Sequence, residues 1–139
     1  MIIRDANEKD LQVCERLLHL PEFKFPNGEF PSVDNLEDFL EKDYFLVAED
    51  EERIIGCIIG EPLKVKSVLI WYLVIDQERR GEGIGKKLLQ NFEKKMRRKN
   101  LEWLYLQTQA ATSGFYAKNN YQKGQQLQEF SKQLKRKTK

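Results

Sequence analysis

The stretch SVLIWYLVIDQERRGEGIGKKLLQNFEKKM, residues 67–96, decides the fold because it joins a buried strand to an amphipathic helix through a glycine-rich turn. Residues 67–75 are almost continuously apolar, which predicts a central strand buried on both faces. From Gly85 to Asn100 the apolar residues recur at helical spacing, and basic residues crowd the last turn, where they complement the helix dipole. Glycine is a poor helix former, so the three glycines within residues 81–85 need another explanation.

An anion site at the start of the helix explains these glycines. The first N–H groups of a helix lack internal partners, and the helix dipole adds about half a positive charge there. Glycines keep those groups clear of side chains, so phosphate is the natural ligand. A Walker A loop is excluded because Lys87 follows Gly85-Lys86 where Ser or Thr is required. The dinucleotide fingerprint G-x-G-x-x-G is excluded because its third glycine is missing.

The remainder of the chain predicts an α/β (α+β) fold in one domain, residues 1–139, with a frayed basic tail at about 135–139. The predicted element order is β-α-α-β-β-β-α-β-α-β, a mixed sheet with helices on its faces. The predicted strands cover residues 2–6, 44–50, 53–63, 67–75, 101–109 and about 127–134.

Composition narrows the function classes. Because 24 basic and 22 acidic residues leave a net charge of only +2, a nucleic-acid partner is not expected. The basic runs KKMRRKN and KQLKRKTK keep a nucleic-acid or ribosome-associated protein open as a lesser alternative. No signal peptide and no membrane-length apolar run is visible, so we expect a cytoplasmic location and no membrane partner. Cys14 and Cys57 are expected to be reduced core thiols.

Two motifs carry a family resemblance. Residues 80–85, RGEGIG, match R-x-x-G-x-G and, with the strand before and KKLL after them, resemble the acetyl-CoA signature of the GNAT N-acetyltransferase superfamily. Residues 115–121, FYAKNNY, resemble the F-Y-x-K-x-G-F segment that follows the next strand in these enzymes. The resemblance covers essentially the whole chain. It implies a mostly antiparallel sheet of six to seven strands flanked by about four helices and splayed at strands 4 and 5.

The resemblance also assigns cofactor-binding residues, with acetyl-CoA as cosubstrate and no metal. Leu73 and Ile75 would offer their backbone to the pantetheine arm and the acetyl carbonyl, and Gln109 stands near the place of a common family Asn. The backbone that would hold the CoA diphosphate belongs to Arg80, Gly81, Glu82, Gly83, Ile84, Gly85 and Lys86.

For catalysis the resemblance implies direct attack of an amine on the thioester, with Tyr116 protonating the leaving thiolate. A phenol with a pKa near 10 is protonated at neutral pH and can donate that proton. Family members often carry a carboxylate on the central strand or the one after it, but residues 67–75 contain none and residues 101–109 contain only Glu102, at their start. The base therefore stays open between Glu61, Glu29, Asp34 and an amine that arrives neutral or loses its proton to water.

The resemblance also implies that the acceptor side is built from residues 20–40 and the loop after Gly60, an aromatic region. Whether the acceptor is a small amine or a peptide or protein amine stays open. A non-catalytic acyl-CoA-binding or regulatory module on the same fold is the alternative function, and a homodimer is compatible with the family. The aromatic residues expected near the acceptor are Phe23, Phe25, Phe30, Trp71 and Tyr72.

Overall fold

A computed structural model describes residues 1–108 and 112–135. The strands are β1 (Ile2–Asp5), β2 (Phe45–Asp50), β3 (Arg53–Leu63), β4 (Ser67–Ile75) and β5 (Trp103–Leu106). The helices are α1 (Leu11–Leu17), α2 (Val33–Glu41), α3 (Ile84–Arg98) and α4 (Ser113–Lys118). No helix in these ranges is long and apolar enough to cross a membrane.

The strands form one mixed sheet in the order β1-β2-β3-β4-β5. Neighbouring strands are antiparallel from β1 to β4, whereas β4 and β5 run parallel. The mixed, mostly antiparallel sheet with four helices agrees with the sequence, but the described residues contain five strands rather than six to seven.

The predicted final strand at about 127–134 is wrong, since residues 121–135 contain no helix or strand. The three large apolar residues of this segment are Leu127, Phe130 and Leu134, spaced three and four residues apart. In a strand, Leu127 would point away from Phe130 and Leu134, and Lys132 would lie between those two on their face, so the pattern gives no continuous apolar face. These side chains are accordingly 72%, 88% and 92% exposed.

Helices cover both faces of the sheet. Helix α3 packs on one face through an apolar stripe that the sequence predicted: Ile84, Leu88, Leu89, Phe92 and Met96. Helices α1 and α2 cover the other face, where they bury Leu11, Cys14 and Leu36 together with Leu18, which directly follows α1. Cys57 of β3 is also buried on this second face, and both thiols are free.

A bulge interrupts β4 at Trp71. Ile59 of β3 pairs with Tyr72, but the next β3 residue, Gly60, pairs with Ile70. Trp71 is therefore an extra residue without a partner on β3, and a single extra residue reverses the facing of every residue that follows.

The side chains of β4 change face at this bulge. Val68 and Ile70 pack in the core beneath α3, whereas Tyr72 and Val74 pack in the core beneath α1 and α2. The end of the strand therefore presents its aromatic Tyr72 to the α1 and α2 side, where the acceptor region was predicted.

A gap opens between β4 and β5 just beyond the bulge. Their pairing ends at Ile70 and Leu106, yet β4 continues to Ile75. Residues 71–75 thus have no strand partner on the β5 side among the described residues. Unpaired strand backbone carries hydrogen-bonding groups that another molecule can use.

Candidate active site

Two residues of the glycine-rich turn have a backbone conformation that residues with a side chain rarely adopt. Gly81 has φ +85° and Gly83, the N-cap of α3, has φ +80°, both in the left-handed region. A Cβ at either position would meet nothing within 4 Å, so conformation rather than crowding requires glycine there. The space above the turn is open, and the first N–H groups of α3 lie beside it.

Two adjacent arginines at this turn have different surroundings. Arg79 Nη2 donates to Asp50 Oδ2 at 2.8 Å, and Arg79 Nε donates to Glu82 Oε2 at 3.0 Å. This guanidinium also holds the pKa of Asp50 below its usual range. The exposed Arg80 has one side-chain polar contact among the described residues, a 3.5 Å hydrogen bond from Nε to the Ile75 carbonyl. Arg79 fixes the turn, and Arg80 is available to an anion.

The turn, the end of β4 and the start of α4 converge. A Cβ placed on Gly85 would lie 3.5 Å from Phe115 Cζ and 3.7 Å from Ile75 Cγ1, which are ordinary contacts. Phe115 stands edge-on to Tyr116, with ring centroids 5.1 Å apart. The structure therefore brings the two sequence motifs and the end of β4 into one region.

The backbone groups of Leu73 and Ile75 face the gap beside β5. The Asp76 N–H donates to the Ile55 carbonyl of β3 at 2.8 Å. Asp76 and Ile55 therefore form a hydrogen-bonded pair. Antiparallel pairs alternate between hydrogen-bonded and non-hydrogen-bonded, and the register places Ile75 and Leu73 in the non-bonded pairs. Their N–H and C=O groups consequently point away from β3, as the 3.5 Å contact from Arg80 to the Ile75 carbonyl also indicates.

Tyr116 lies half-buried against the core beneath α3. Burial raises the pKa of its hydroxyl, so the phenol stays protonated at neutral pH. Its ring meets Tyr121 edge-on at 5.8 Å, and the Tyr121 hydroxyl donates to Glu93 Oε2 at 2.7 Å. Two aromatic neighbours therefore fix the Tyr116 ring.

The aromatic residues predicted near the acceptor do not form a single cluster. Phe23 stands edge-on to Tyr72 at 5.5 Å, and Trp71 lies beside Tyr72 at 6.4 Å. Phe30 instead stacks on His19 at 3.8 Å. Phe25 belongs to a short turn in which its N–H donates to the Glu29 carbonyl at 2.7 Å.

Sequence reasoning missed Phe39 of α2. Its ring lies 6.4 Å from Trp71 and 6.2 Å from Tyr72, so it completes the aromatic group at the bulge. The signal was present in the spacing of Leu36, Phe39 and Leu40, which places the phenyl ring on the apolar face of α2.

Among the candidate bases, Glu61 lies next to this aromatic group. Trp71 Nε1 donates to Glu61 Oε1 at 3.1 Å, and Lys42 Nζ lies 3.5 Å from Glu61 Oε2. Asp34 is exposed in the first turn of α2. Gln109 lies outside the described residues, as do residues 136–139 of the predicted basic tail.

Comparisons with known proteins agree with this geometry. A family model described as an acetyltransferase (GNAT) domain matches residues 41–123, and no curated protein matches the chain. An aminoglycoside acetyltransferase from an uncultured soil metagenomic sample is 25% identical with a TM-score of 0.74, covering 96% of each chain.

Two further solved structures share the fold. The ribosomal-protein-alanine N-acetyltransferase of Brucella melitensis is 21% identical with a TM-score of 0.72, over 86% of this chain and 82% of that one. A Mycobacterium tuberculosis protein solved in complex with CoA is 18% identical with a TM-score of 0.74, over 86% of this chain and 70% of that one.

Proposed function

The chain belongs to the GNAT acetyltransferase family, and on that premise we propose that it transfers the acetyl group of acetyl-CoA to a primary amine by direct attack. The family predicted from residues 80–85 and 115–121 is thereby confirmed. The main support for this reaction is that Gly85, Ile75 and Phe115 lie close together. Their proximity joins the anion site, the gap beside β4 and the segment that contains Tyr116.

The residues present fit CoA. The open backbone at Gly81 and Gly83 and the exposed Arg80 suit a diphosphate, because backbone N–H groups and a guanidinium both bind phosphate oxygens. Leu73 and Ile75 direct backbone groups into the gap, which suits the amides of a pantetheine arm. When bound, acetyl-CoA supplies the thioester carbonyl that the amine attacks. A neighbour of the same fold was solved with CoA, which supports this assignment.

Tyr116 is proposed as the acid that protonates the departing thiolate. Its hydroxyl carries a proton at neutral pH because burial raises its pKa, and its ring is held by Phe115 and Tyr121. Proton transfer by a positioned side chain contributes roughly 10²- to 10⁴-fold to a rate. The amine gives up its own proton before attack, and water can accept it.

The acceptor class is proposed to be a primary amine on a small molecule or a peptide. Among structural neighbours, one is named an aminoglycoside acetyltransferase and another a ribosomal-protein-alanine N-acetyltransferase, which supports small-molecule and protein acceptors as candidates. The aromatic group around Trp71 and Tyr72 lies on the face of β4 that such an acceptor would approach.

The test combines a binding and a turnover measurement. CoA should raise the melting temperature, and a panel of amines should release free thiol from acetyl-CoA. Tyr116→Phe should abolish most thiol release without changing the CoA-induced shift, whereas Tyr105→Phe, on the exposed face of β5, should leave both unchanged. A CoA shift without thiol release across the panel would favour the non-catalytic acyl-CoA-binding module, and no CoA shift would reject both functions.

A further inference from the structure

We propose that Glu61 and Trp71 form the subsite that docks the acceptor amine as its ammonium ion, an inference that rests on the proposed function. The Glu61 carboxylate accepts a hydrogen bond from the Trp71 indole N–H at 3.1 Å. Its side chain is 33% exposed, so one donor fixes its position while part of the carboxylate still reaches solvent. A fixed, partly desolvated carboxylate binds an ammonium more strongly than a freely solvated one does.

Aromatic rings add to the attraction for a cation. Trp71 remains 46% exposed, and the ring of Phe39 lies 6.4 Å from it at a tilt of 55°. The faces of aromatic rings attract cations, and tryptophan does so most strongly. A carboxylate beside an exposed indole therefore selects a positively charged group over a neutral or anionic one.

A primary ammonium of the chain itself already approaches this position. Lys42 Nζ lies 3.5 Å from Glu61 Oε2, at the long end of an ion pair, and its side chain is 50% exposed. Exposed ion pairs of this kind contribute little to stability. An incoming ammonium can therefore replace Lys42 at a small cost in free energy. The contact with Lys42 also shows that the Glu61 carboxylate can pair with a primary ammonium.

The subsite includes the residue at which the gap between β4 and β5 begins. Trp71 is the bulged residue of β4 and the first one beyond the pairing with β5, so it stands at the apex of the gap that Leu73 and Ile75 line. The Trp71 indole donates to Glu61 of β3, so an ammonium held there lies next to Trp71, one strand away from the gap. In the balanced reaction, R–NH₃⁺ and acetyl-CoA give the acetamide, CoA thiol and one proton released to solvent.

The test compares Glu61→Gln with Glu37→Gln, a matched substitution on the exposed face of α2. For an aliphatic amine that is cationic at neutral pH, Glu61→Gln should raise the amine KM roughly tenfold or more, because a charge-assisted contact is lost. The kcat and the CoA-induced melting shift should stay unchanged. For an aromatic amine that is uncharged at the same pH, the KM should not move.

Two further variants test the roles of Trp71 and Lys42. Trp71→Phe keeps an aromatic ring but removes the indole N–H, so the amine KM should rise by less than in Glu61→Gln. Lys42→Met removes the competing ammonium and should lower the KM of the cationic amine. If wild-type protein acetylates amines but Glu61→Gln leaves their KM unchanged, this inference is overturned and the proposed function stands. If no amine is acetylated, the proposed function itself fails.

Discussion

Arg79 and Asp50 lie 29 residues apart in sequence, yet the Arg79 guanidinium donates to the Asp50 carboxylate at 2.8 Å. This contact ties the glycine-rich turn to the end of strand β2. The same guanidinium also binds Glu82 within the turn, so it holds the turn from both sides. The neighbouring Arg80 is exposed and makes one long contact, with the Ile75 carbonyl, among the described residues. Two adjacent arginines thus have different surroundings, and we expect them to have different roles.

Arg80→Ala should weaken CoA binding without lowering the melting temperature of the free protein. A charged hydrogen bond to phosphate contributes about 1.5–3 kcal/mol, which corresponds to roughly a tenfold to hundredfold rise in Kd. Arg79→Ala should instead lower the melting temperature of the free protein because it releases the turn. Calorimetric titration with CoA and thermal melting of both variants separate the two effects. Equal losses of stability in both variants would contradict the division of tasks.

The contact between Arg79 and Asp50 should also give an acid-dependent stability. The guanidinium lowers the pKa of Asp50 below its usual value of 3.8, so the ionised carboxylate is favoured in the folded state. The resulting stability is present above pH 3.8 and is lost as pH falls through the lowered folded-state pKa. The melting temperatures of wild type and Asp50→Asn should therefore differ at neutral pH and approach each other in acid. A difference that stays constant down to low pH would exclude this role.

Gly83 and Gly85 offer a matched pair of alanine substitutions in one turn. Gly83 has φ +80°, so Gly83→Ala should cost about 1–2 kcal/mol through the left-handed conformation and should also disturb the first N–H groups of α3. Gly85 lies inside α3 with room for a Cβ, so Gly85→Ala should stabilise the protein by about 0.5–1 kcal/mol. Chemical denaturation should show a loss of stability for Gly83→Ala alone. Similar stability losses in both variants would show that crowding, rather than backbone conformation, requires glycine.

The sequence was sufficient for features that depend on local chemistry. The glycines at 81 and 83, the basic end of α3 and the apolar stripe facing the sheet all follow from rules that act within one or two helical turns. The first four strands follow from apolar runs separated by turns. These elements include the residues that we propose to bind the CoA diphosphate.

Features that depend on contacts between residues far apart in the sequence could not be predicted from the sequence. The run SVLIWYLVI is apolar throughout, so nothing in its pattern marks Trp71 as the residue where the facing changes. Two contacts of the candidate site join separate elements: Arg79 with Asp50, and Trp71 with Glu61. No pattern in the neighbouring sequence marks these residues as partners. The strand predicted at about 127–134 was wrong, because its residues are largely polar and the few apolar ones do not form one continuous face.

Gly60 should tolerate no side chain, because α3 packs directly over it. A Cβ there would lie 2.7 Å from Phe92 Cζ and 3.1 Å from the Leu69 carbonyl oxygen, and neither the buried ring nor the backbone can move freely. Gly60→Ala should therefore cost about 1–3 kcal/mol through overpacking. Gly124→Ala is the control, since a Cβ at that position meets nothing within 4 Å. Urea denaturation that gives equal midpoints for the two variants would contradict the close packing of α3 on β3.

Tyr116→Phe should lower kcat by roughly 10²-fold or more while leaving the CoA-induced melting shift unchanged, because only the proton donor is lost. Burial raises the pKa of Tyr116 above 10, so the hydroxyl remains a donor to a higher pH than a solvated phenol does. Activity that depends on this proton should persist through neutral pH and fall only as pH rises through that raised pKa. The pH profile of kcat should therefore show an alkaline limb above pH 10 that Tyr116→Phe lacks. A full rate in Tyr116→Phe at pH near 8 would exclude Tyr116 as the acid and leave protonation of the thiolate to water.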